Sequence, residues 1–176
     1  MMVQSPIKAP GFPPYQRTYH SVAVLLPDAR VLLAGGEYHG PGEDSRFSGE
    51  IFTPPYLGFG FRPFILGGSS EATFSQTFRV SVQHNPGKEI DRFVLLRPAA
   101  VTHHFDSDQR YIELEIVESV PLQSVPPAGP AKRYTLRAPQ GDFAPPGYYM
   151  LFAVDRDLSA NANRAPSYAH FIRLQP

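Results

Sequence analysis

Residues 73–117 read TFSQTFRVSVQHNPGKEIDRFVLLRPAAVTHHFDSDQRYIELEIV. In this stretch β-branched and aromatic residues gather in short runs, and polar or turn-forming residues such as Pro, Gly, Asp and Asn separate the runs. Such runs are typical of β-strands bounded by turns. The stretch therefore predicts four strands, at 73–83, 90–97, 99–105 and 110–117.

The same pattern continues toward the C-terminus, where three more strands are predicted at 131–137, 146–154 and 167–174. Two loops separate them, a Pro-rich one at 119–130 and another at 155–166. No window shows apolar residues at helical spacing over three turns. About seven short strands over roughly 110 residues predict an all-β fold of the immunoglobulin-like sandwich type.

On the N-terminal side the sequence predicts a β-hairpin. Its strands run from His20 to Leu26 and from Arg30 to Ala34, and they are joined by a turn that begins at Pro27. A cluster of Pro and Gly at 54–63 marks a boundary. We therefore expect residues 1–60 to form an N-terminal extension with this hairpin, and residues 61–176 to form the sandwich.

Composition excludes several classes of protein. The 16 basic residues balance the 16 acidic ones and form no stripe, which argues against a nucleic-acid partner. No stretch approaches the roughly 18 apolar residues of a membrane span. There is no cysteine, so disulfides and thiolate metal sites are excluded. The first 14 residues lack a signal-peptide pattern, so the sequence as written predicts a cytoplasmic chain.

Two of the six histidine contexts stand out. Tyr19 and His20 come at the start of the first predicted strand, and His103 and His104 come at the end of a later one. Two imidazoles and a phenolate oxygen are donors that suit Cu(II). Because neighbouring residues of a strand face opposite ways, Tyr19 and His20 can share a metal only where the backbone bends. The alternative is that these are polar strand-end residues whose hydrogen bonds are satisfied by the backbone.

Five segments, in order along the chain, resemble the C-terminal region of the galactose oxidase and glyoxal oxidase family of copper-radical oxidases. They are RTYHSVAVLLPDARV at 17–31, EIFTPPYL at 50–57, RPAAVTHHFDSDQR at 97–110, PPGYYMLF at 145–152, and Pro166-Ser167 before the last strand. The resemblance implies an early-set immunoglobulin-like domain, preceded by a hairpin from a partial kelch-type propeller blade. Because secreted relatives are expected in this family, the resemblance also implies an export signal, in contrast to the N-terminus as written.

The resemblance also implies site residues. Tyr19 matches the axial tyrosine, which is the catalytic tyrosine of this set, and His20 and His103 match the two copper-binding histidines. His104 matches no functional position and is expected to point away. The family's tyrosyl-cysteine cofactor has no counterpart, since the sequence has no cysteine.

The remaining polar residues are interpreted from their own context. His39, a possible third metal ligand, is interpreted as a loop residue, and His84 and His170 as surface or strand-edge residues. Asp106 and Asp108, which could be catalytic carboxylates, are interpreted as parts of an Asx-type turn.

Three functions remain open at this point. The first is a copper-protein module without oxidase activity as an isolated chain, which would either pair with a separate propeller chain or persist alone as a folded remnant. The second is a carbohydrate-binding or interaction module, suggested by analogy at the level of the fold. The third is the tail of a complete copper-radical oxidase.

Overall fold

The computed structural model describes residues 17, 19–36, 49–58, 60–123, 129–157 and 164–176. The strands in these ranges are β1 (Ser21–Leu25), β2 (Val31–Gly35), β3 (Gly49–Phe52), β4 (Phe64–Gly68), β5 (Glu71–Thr73), β6 (Thr77–Gln83), β7 (Lys88–Leu96), β8 (Val101–Thr102), β9 (Phe105–Asp106), β10 (Tyr111–Leu114), β11 (Ile116–Leu122), β12 (Ala131–Arg137), β13 (Gly147–Asp157), β14 (Arg164–Pro166) and β15 (His170–Gln175). A single 3₁₀ turn, Pro55–Gly58, accompanies them, and no α-helix occurs within these ranges. No described helix is long and apolar enough to cross a membrane.

The chain divides into two compact units. The first contains residues 1–54 together with 99–109, and the second contains residues 55–98 together with 110–176. The predicted division after residue 60 stays a prediction, as does the assignment of the N-terminal hairpin to a propeller blade.

The first unit is built on a three-stranded antiparallel sheet in the order β1-β2-β3. The predicted hairpin is present as β1 and β2. The Leu26 carbonyl accepts from the Ala29 N–H at 2.9 Å, so Pro27 occupies the second position of a tight turn. Ala29 follows with φ of 66°, and Asp28 accepts from the backbone and guanidinium of Arg30. This is the three-residue hairpin loop in which a left-handed residue closes a type I turn.

The second unit is a two-sheet sandwich. One sheet has the order β10-β7-β13-β15-β5, with β14 also paired to β13, and the other has the order β11-β12-β6-β4. All described pairs in it are antiparallel except β15 with β5. The family of folds predicted from sequence, an all-β immunoglobulin-like sandwich, is therefore confirmed.

Alternation of side chains along the strands makes the core of the second unit. In β6 the side chains of Phe78, Val80 and Val82 are buried, and Arg79 between them is exposed. They pack with residues of the facing sheet, among which Phe93, Leu95, Tyr149, Leu151, Ile172 and Leu174 are buried in the same cluster. The period of two follows from the pleat of a strand, so this face could be read from the sequence.

Several polar groups inside the second unit are held by specific partners. The hydroxyl of buried Tyr149 donates to the Pro145 carbonyl at 2.9 Å, in the manner of the tyrosine corner of immunoglobulin-like folds. Arg62 donates to the carbonyls of Pro166 and Ser167 at 2.7 and 2.6 Å, and its guanidinium lies over the Tyr168 ring. Arg62 thereby fixes the segment before β4 to the connection before β15.

Two groups in this unit have shifted pKa values. Burial raises the pKa of Asp91, but hydrogen bonds and charges from Arg92 and Arg164 outweigh it, and the pKa lies below its usual 3.8. Burial, together with the charge of Glu89, raises the pKa of Tyr134 to about 12. The Tyr134 ring packs edge-on against Phe93, with ring centroids 5.0 Å apart.

Several predicted strand and loop boundaries need correction. Residues 110–117 form two strands, β10 and β11, which lie in different sheets. The predicted loop at 155–166 is shorter, because β13 continues to Asp157 and β14 occupies Arg164–Pro166.

Residues 99–105 do not form one strand, since His103 and His104 make a turn between β8 and β9. The predicted loop at 119–130 begins later, because β11 continues to Leu122. The run at 73–83 is two strands, separated by a turn in which Ser75 has φ of 61°. In each case local backbone geometry that composition does not specify sets the boundary.

Candidate metal centre

Tyr19 and His20 lie in a turn directly before β1. The φ of His20 is 61°, in the left-handed region that non-glycine residues rarely adopt. This is the bend that two neighbouring residues require if they are to face one metal. The rings of Tyr19 and His20 lie on the same side of the chain, with centroids 3.8 Å apart and planes inclined by 33°.

The end of β2 supports this bend. Gly35, itself at φ of 67°, pairs with Ser21 in the β1–β2 register. A Cβ atom on Gly35 would lie 2.6 Å from the His20 carbonyl oxygen, which is closer than real Cβ contacts allow. The absence of a side chain at Gly35 therefore makes room for the backbone of His20.

A buried ion pair fixes the same end of the sheet. Arg17 donates to the Gly35 carbonyl at 2.7 Å and to the Glu50 carboxylate at 3.0 Å. The two charged side chains are only 6% and 11% exposed. Charge-assisted bonds at this depth are stronger than surface pairs, so Arg17 ties β2 to β3 just beside the Tyr19-His20 turn.

His103 lies at the tip of a short hairpin. Strands β8 and β9 pair through Val101 with Asp106 and Thr102 with Phe105, leaving a two-residue loop. The φ angles of His103 and His104 are 51° and 63°, both positive as in a type I′ turn. Such loops normally use Asn-Gly, because these residues tolerate positive φ. Two histidines in these positions therefore have a strained backbone. Strain of this kind is concentrated at functional sites.

The first unit brings the three predicted site residues together. The His20 and His103 ring centroids are 4.5 Å apart at 74°, and those of Tyr19 and His103 are 5.5 Å apart at 66°. The side chain of Tyr19 is half exposed and that of His103 is exposed. Tyr19, His20 and His103 thus form one cluster of rings that solvent reaches.

Hydrogen bonds around the cluster bear on which nitrogens can serve as donors to a metal. The Thr102 hydroxyl lies 2.7 Å from Nδ1 of His103. If that nitrogen carries the proton and donates to the hydroxyl, Nε2 of His103 keeps its lone pair for a metal. Nδ1 of His104 lies 3.1 Å from the Ser21 hydroxyl. His104 therefore does not simply point away, as expected from the sequence, but contacts β1.

The other candidates from the sequence lie elsewhere. Oδ1 of Asp106 accepts from the backbone N–H of Asp108 and of Ala100, which confirms the predicted Asx-type turn. His84 is buried beside β6 rather than at the surface, and Nε2 of His170 contacts the Ser69 carbonyl. His39 lies outside the described residues.

Within the described ranges, no group of three or more His, Cys, Asp or Glu side chains could hold a metal ion. A centre at this cluster therefore depends on the phenol of Tyr19 as its third donor. Three supporting features could not be identified from the sequence pattern: the space left by Gly35, the Arg17–Glu50 pair, and the contact between Ser21 and His104. The only signal for them is that Arg17 and Ser21 flank the Tyr19-His20 pair.

The chain is similar to known proteins both at the level of a family and at the level of individual relatives. The family described as galactose oxidase-like, early set domain, matches residues 62–174. This range includes His103, whereas Tyr19 and His20 precede it.

Individual relatives extend the similarity toward the N-terminus. An aldehyde oxidase of Vitis pseudoreticulata is 34% identical over an alignment 177 residues long, gaps included, which covers 95% of this chain and 31% of the relative. An aldehyde oxidase of Arabidopsis thaliana is 31% identical, covering 90% of this chain and 26% of the relative. A galactose oxidase of Gibberella zeae is 30% identical, covering 90% and 21%. The chain thus spans less than a third of the length of these relatives.

Proposed function

The chain belongs to the galactose oxidase-like early set family, and from this premise we propose that Tyr19, His20 and His103 are its donors to a copper ion. The observation that carries the proposal is the cluster of these three rings within one compact unit. His103 reaches it from a hairpin more than eighty positions along the chain, and three left-handed histidines accompany the convergence. Rings that served only as strand-end polar groups would not need this backbone.

The donor set fits copper chemically. Two imidazole nitrogens and one phenol oxygen suit Cu(II), and no thiolate is present to favour softer ions. A metal–nitrogen bond of about 2.0 Å puts an imidazole centroid ~3 Å from the ion, so two rings on one ion lie ~4–6 Å apart. The His20–His103 separation of 4.5 Å falls in this window. When bound, copper would supply one-electron redox chemistry, and Tyr19, His20 and His103 would hold it where solvent reaches the cluster.

We propose that the isolated chain does not oxidise alcohols or aldehydes. A two-electron oxidation needs a second one-electron partner beside the metal. The resemblance assigns that role to a tyrosine joined to a cysteine, and this sequence contains no cysteine. The oxidase activity named for the relatives would then require a propeller that contributes the missing pair, either on a separate chain or on the same polypeptide as the tail of a complete oxidase.

Copper titration of the purified chain tests the metal proposal. We expect one Cu(II) per chain, with nitrogen hyperfine structure from two imidazoles in its electron paramagnetic resonance spectrum. His20→Asn and His103→Asn should each remove one nitrogen and weaken binding at least about tenfold, since loss of a donor exceeds the 10–100-fold effect of outer-shell changes. Asn is the replacement of choice because it tolerates positive φ.

The matched control is His170→Asn, which removes an imidazole from the second unit. It should leave the copper spectrum unchanged. If the two cluster variants bind copper as tightly as this control, the rings are merely packed together and the proposal is wrong. Release of peroxide from galactose or an aldehyde by the copper-loaded chain, lost in His103→Asn, would overturn the proposed inactivity.

A second candidate function is carbohydrate binding or another surface interaction. It is supported by exposed aromatic side chains on one face of the larger sheet in the second unit. By the strand register, Tyr111, Tyr148 and Phe171 share this face, and their side chains are exposed, whereas Met150 between them is buried. Aromatic rings with a wet face provide apolar contact area together with a polar handle.

A glycan array distinguishes this candidate. Binding of a glycan that Tyr148→Ala abolishes, while copper binding is retained, would favour it. An array without hits would remove it.

A further inference from the structure

One side-chain contact joins the two segments that carry the histidines of the cluster. Ser21 follows His20 directly, and His104 follows His103 directly. The Ser21 hydroxyl and Nδ1 of His104 are 3.1 Å apart, although the residues are 83 positions apart in sequence. The contact therefore lies one residue beyond each of the two imidazoles.

The hairpin that carries His103 is short. Its strands, β8 and β9, contain two residues each, and both turn residues are exposed. A short two-stranded hairpin is marginally stable in water unless it packs against further structure. Strand β8 lies beside β1 within the first unit, and the Ser21–His104 contact joins the turn itself to the beginning of β1.

The backbone of the cluster also needs to be held. His20, His103 and His104 all have φ between 51° and 63°, a region that is strained for residues other than glycine. Conformations of this kind persist only where surrounding contacts over-determine them. Gly35 and Arg17 constrain the His20 side, as described above. On the His103 side, the hydrogen bond between His104 and Ser21 connects the turn to β1.

From these contacts we infer that Ser21 and His104 are positioning residues, which hold the His20 and His103 rings at their short separation. They act through the two imidazoles and not as metal donors. The relevance of this role to copper rests on the function proposed above, but the positioning itself is a property of the metal-free chain. The ligand that this arrangement would bind is a metal cation coordinated by imidazole nitrogen, and Cu(II) is the probe used to test it.

The test uses the full chain with variants that separate side chain from backbone. Ser21→Ala removes the hydroxyl, and Ser21→Thr keeps it in a residue well suited to a strand. His104→Gly removes the imidazole but suits a type I′ turn, so the hairpin itself is retained. The double variant Ser21→Ala with His104→Gly completes a cycle.

The first measurement is made without metal. Nuclear Overhauser contacts between the ring protons of His20 and His103 should be strong in the wild-type chain and in Ser21→Thr. They should be lost or much weaker in Ser21→Ala and in His104→Gly. If the contacts persist unchanged in both single variants, the inference is wrong whatever the chain does with copper.

The second measurement is the affinity for Cu(II). We expect each single variant to bind about tenfold more weakly, as for other residues that orient metal-binding histidines. The double variant should be no worse than either single one, because both remove the same contact. Ser21→Thr should bind like the wild-type chain.

The outcomes separate this inference from the proposed function. If the wild-type chain shows the ring contacts but takes up no copper, the metal proposal fails and the positioning stands. If copper binds and only His104→Gly weakens it, His104 acts by itself as a donor and the positioning role is refuted. Equal copper affinity in all variants also refutes it.

Discussion

Replacement of Gly35 by alanine should disturb the candidate metal centre without a change to any donor. Gly35 has φ of 67°, and its missing Cβ would lie 2.6 Å from the carbonyl oxygen of His20. The left-handed conformation costs alanine about 1–2 kcal/mol. The contact adds about 1–3 kcal/mol, because the atom it meets belongs to the backbone and cannot rotate away. We expect these two costs together to lower the free energy of unfolding of the first unit by about 2–5 kcal/mol.

Gly49→Ala is the matched control, since Gly49 begins β3 in the same sheet. A Cβ atom there would meet the Leu32 Cδ1 atom at 3.5 Å, which is ordinary van der Waals contact. Urea unfolding followed by amide signals of β1 and β6 reports the two units separately. Gly35→Ala should destabilise β1 and bind Cu(II) at least about tenfold more weakly, as expected when a ligand histidine is displaced. Equal stability and copper affinity of the two variants would refute the reasoning about His20.

Three further predictions concern the sandwich. Asp155→Ala should lower the free energy of unfolding in urea by about 3–5 kcal/mol, because the Lys88 ammonium, 3.5 Å from the buried carboxylate, loses its counter-charge. The added change Lys88→Met should recover part of this loss, and a loss under 1 kcal/mol for Asp155→Ala would contradict the prediction. Because the folded-state pKa of Tyr134 is raised to about 12, the contribution of its neutral phenol to the free energy of unfolding should be fully present below pH 10 and decrease by up to about 3 kcal/mol between pH 10 and 12. Thermal melts at alkaline pH should show this decrease in the wild-type chain but not in Tyr134→Phe. Because the pKa of Asp91 is lowered, the contribution of its carboxylate to folding stability should be present above about pH 4 and lost as the pH falls further. Asp91→Asn should therefore be less stable than the wild-type chain at pH 7 but not at pH 2. An equal difference in stability at both pH values would count against the lowered pKa.

The strands of the sandwich are largely predictable from their own residues. The predicted span 131–137 coincides with β12, and the alternation of Phe78, Val80 and Val82 marks the inward face of β6. The reason is that the period of two and the enrichment in β-branched and aromatic residues are local consequences of a half-buried pleated surface. The N-terminal hairpin was likewise predictable, since Pro27 and Asp28 specify its turn.

The turn at His103 and His104 was not predictable in the same way. Both residues are polar and neither is a preferred type I′ residue, so the segment reads as a continuous strand until its φ angles are known. The role expected for His104 changed for the same reason. A strand would direct neighbouring side chains to opposite faces, but in the turn His104 reaches Ser21.

The amino-acid sequence by itself determined the all-β class and the main strands of the sandwich, and its resemblance to the oxidase family singled out Tyr19, His20 and His103 as the proposed donor set. The strands follow from side-chain chemistry and from periodicity, which act over a few neighbouring residues. Only the tertiary structure decided that the three rings meet, because their meeting depends on left-handed backbone at His20 and His103 and on the empty space at Gly35. Those conformations are imposed by contacts between segments far apart in the chain, and the local sequence disfavours them.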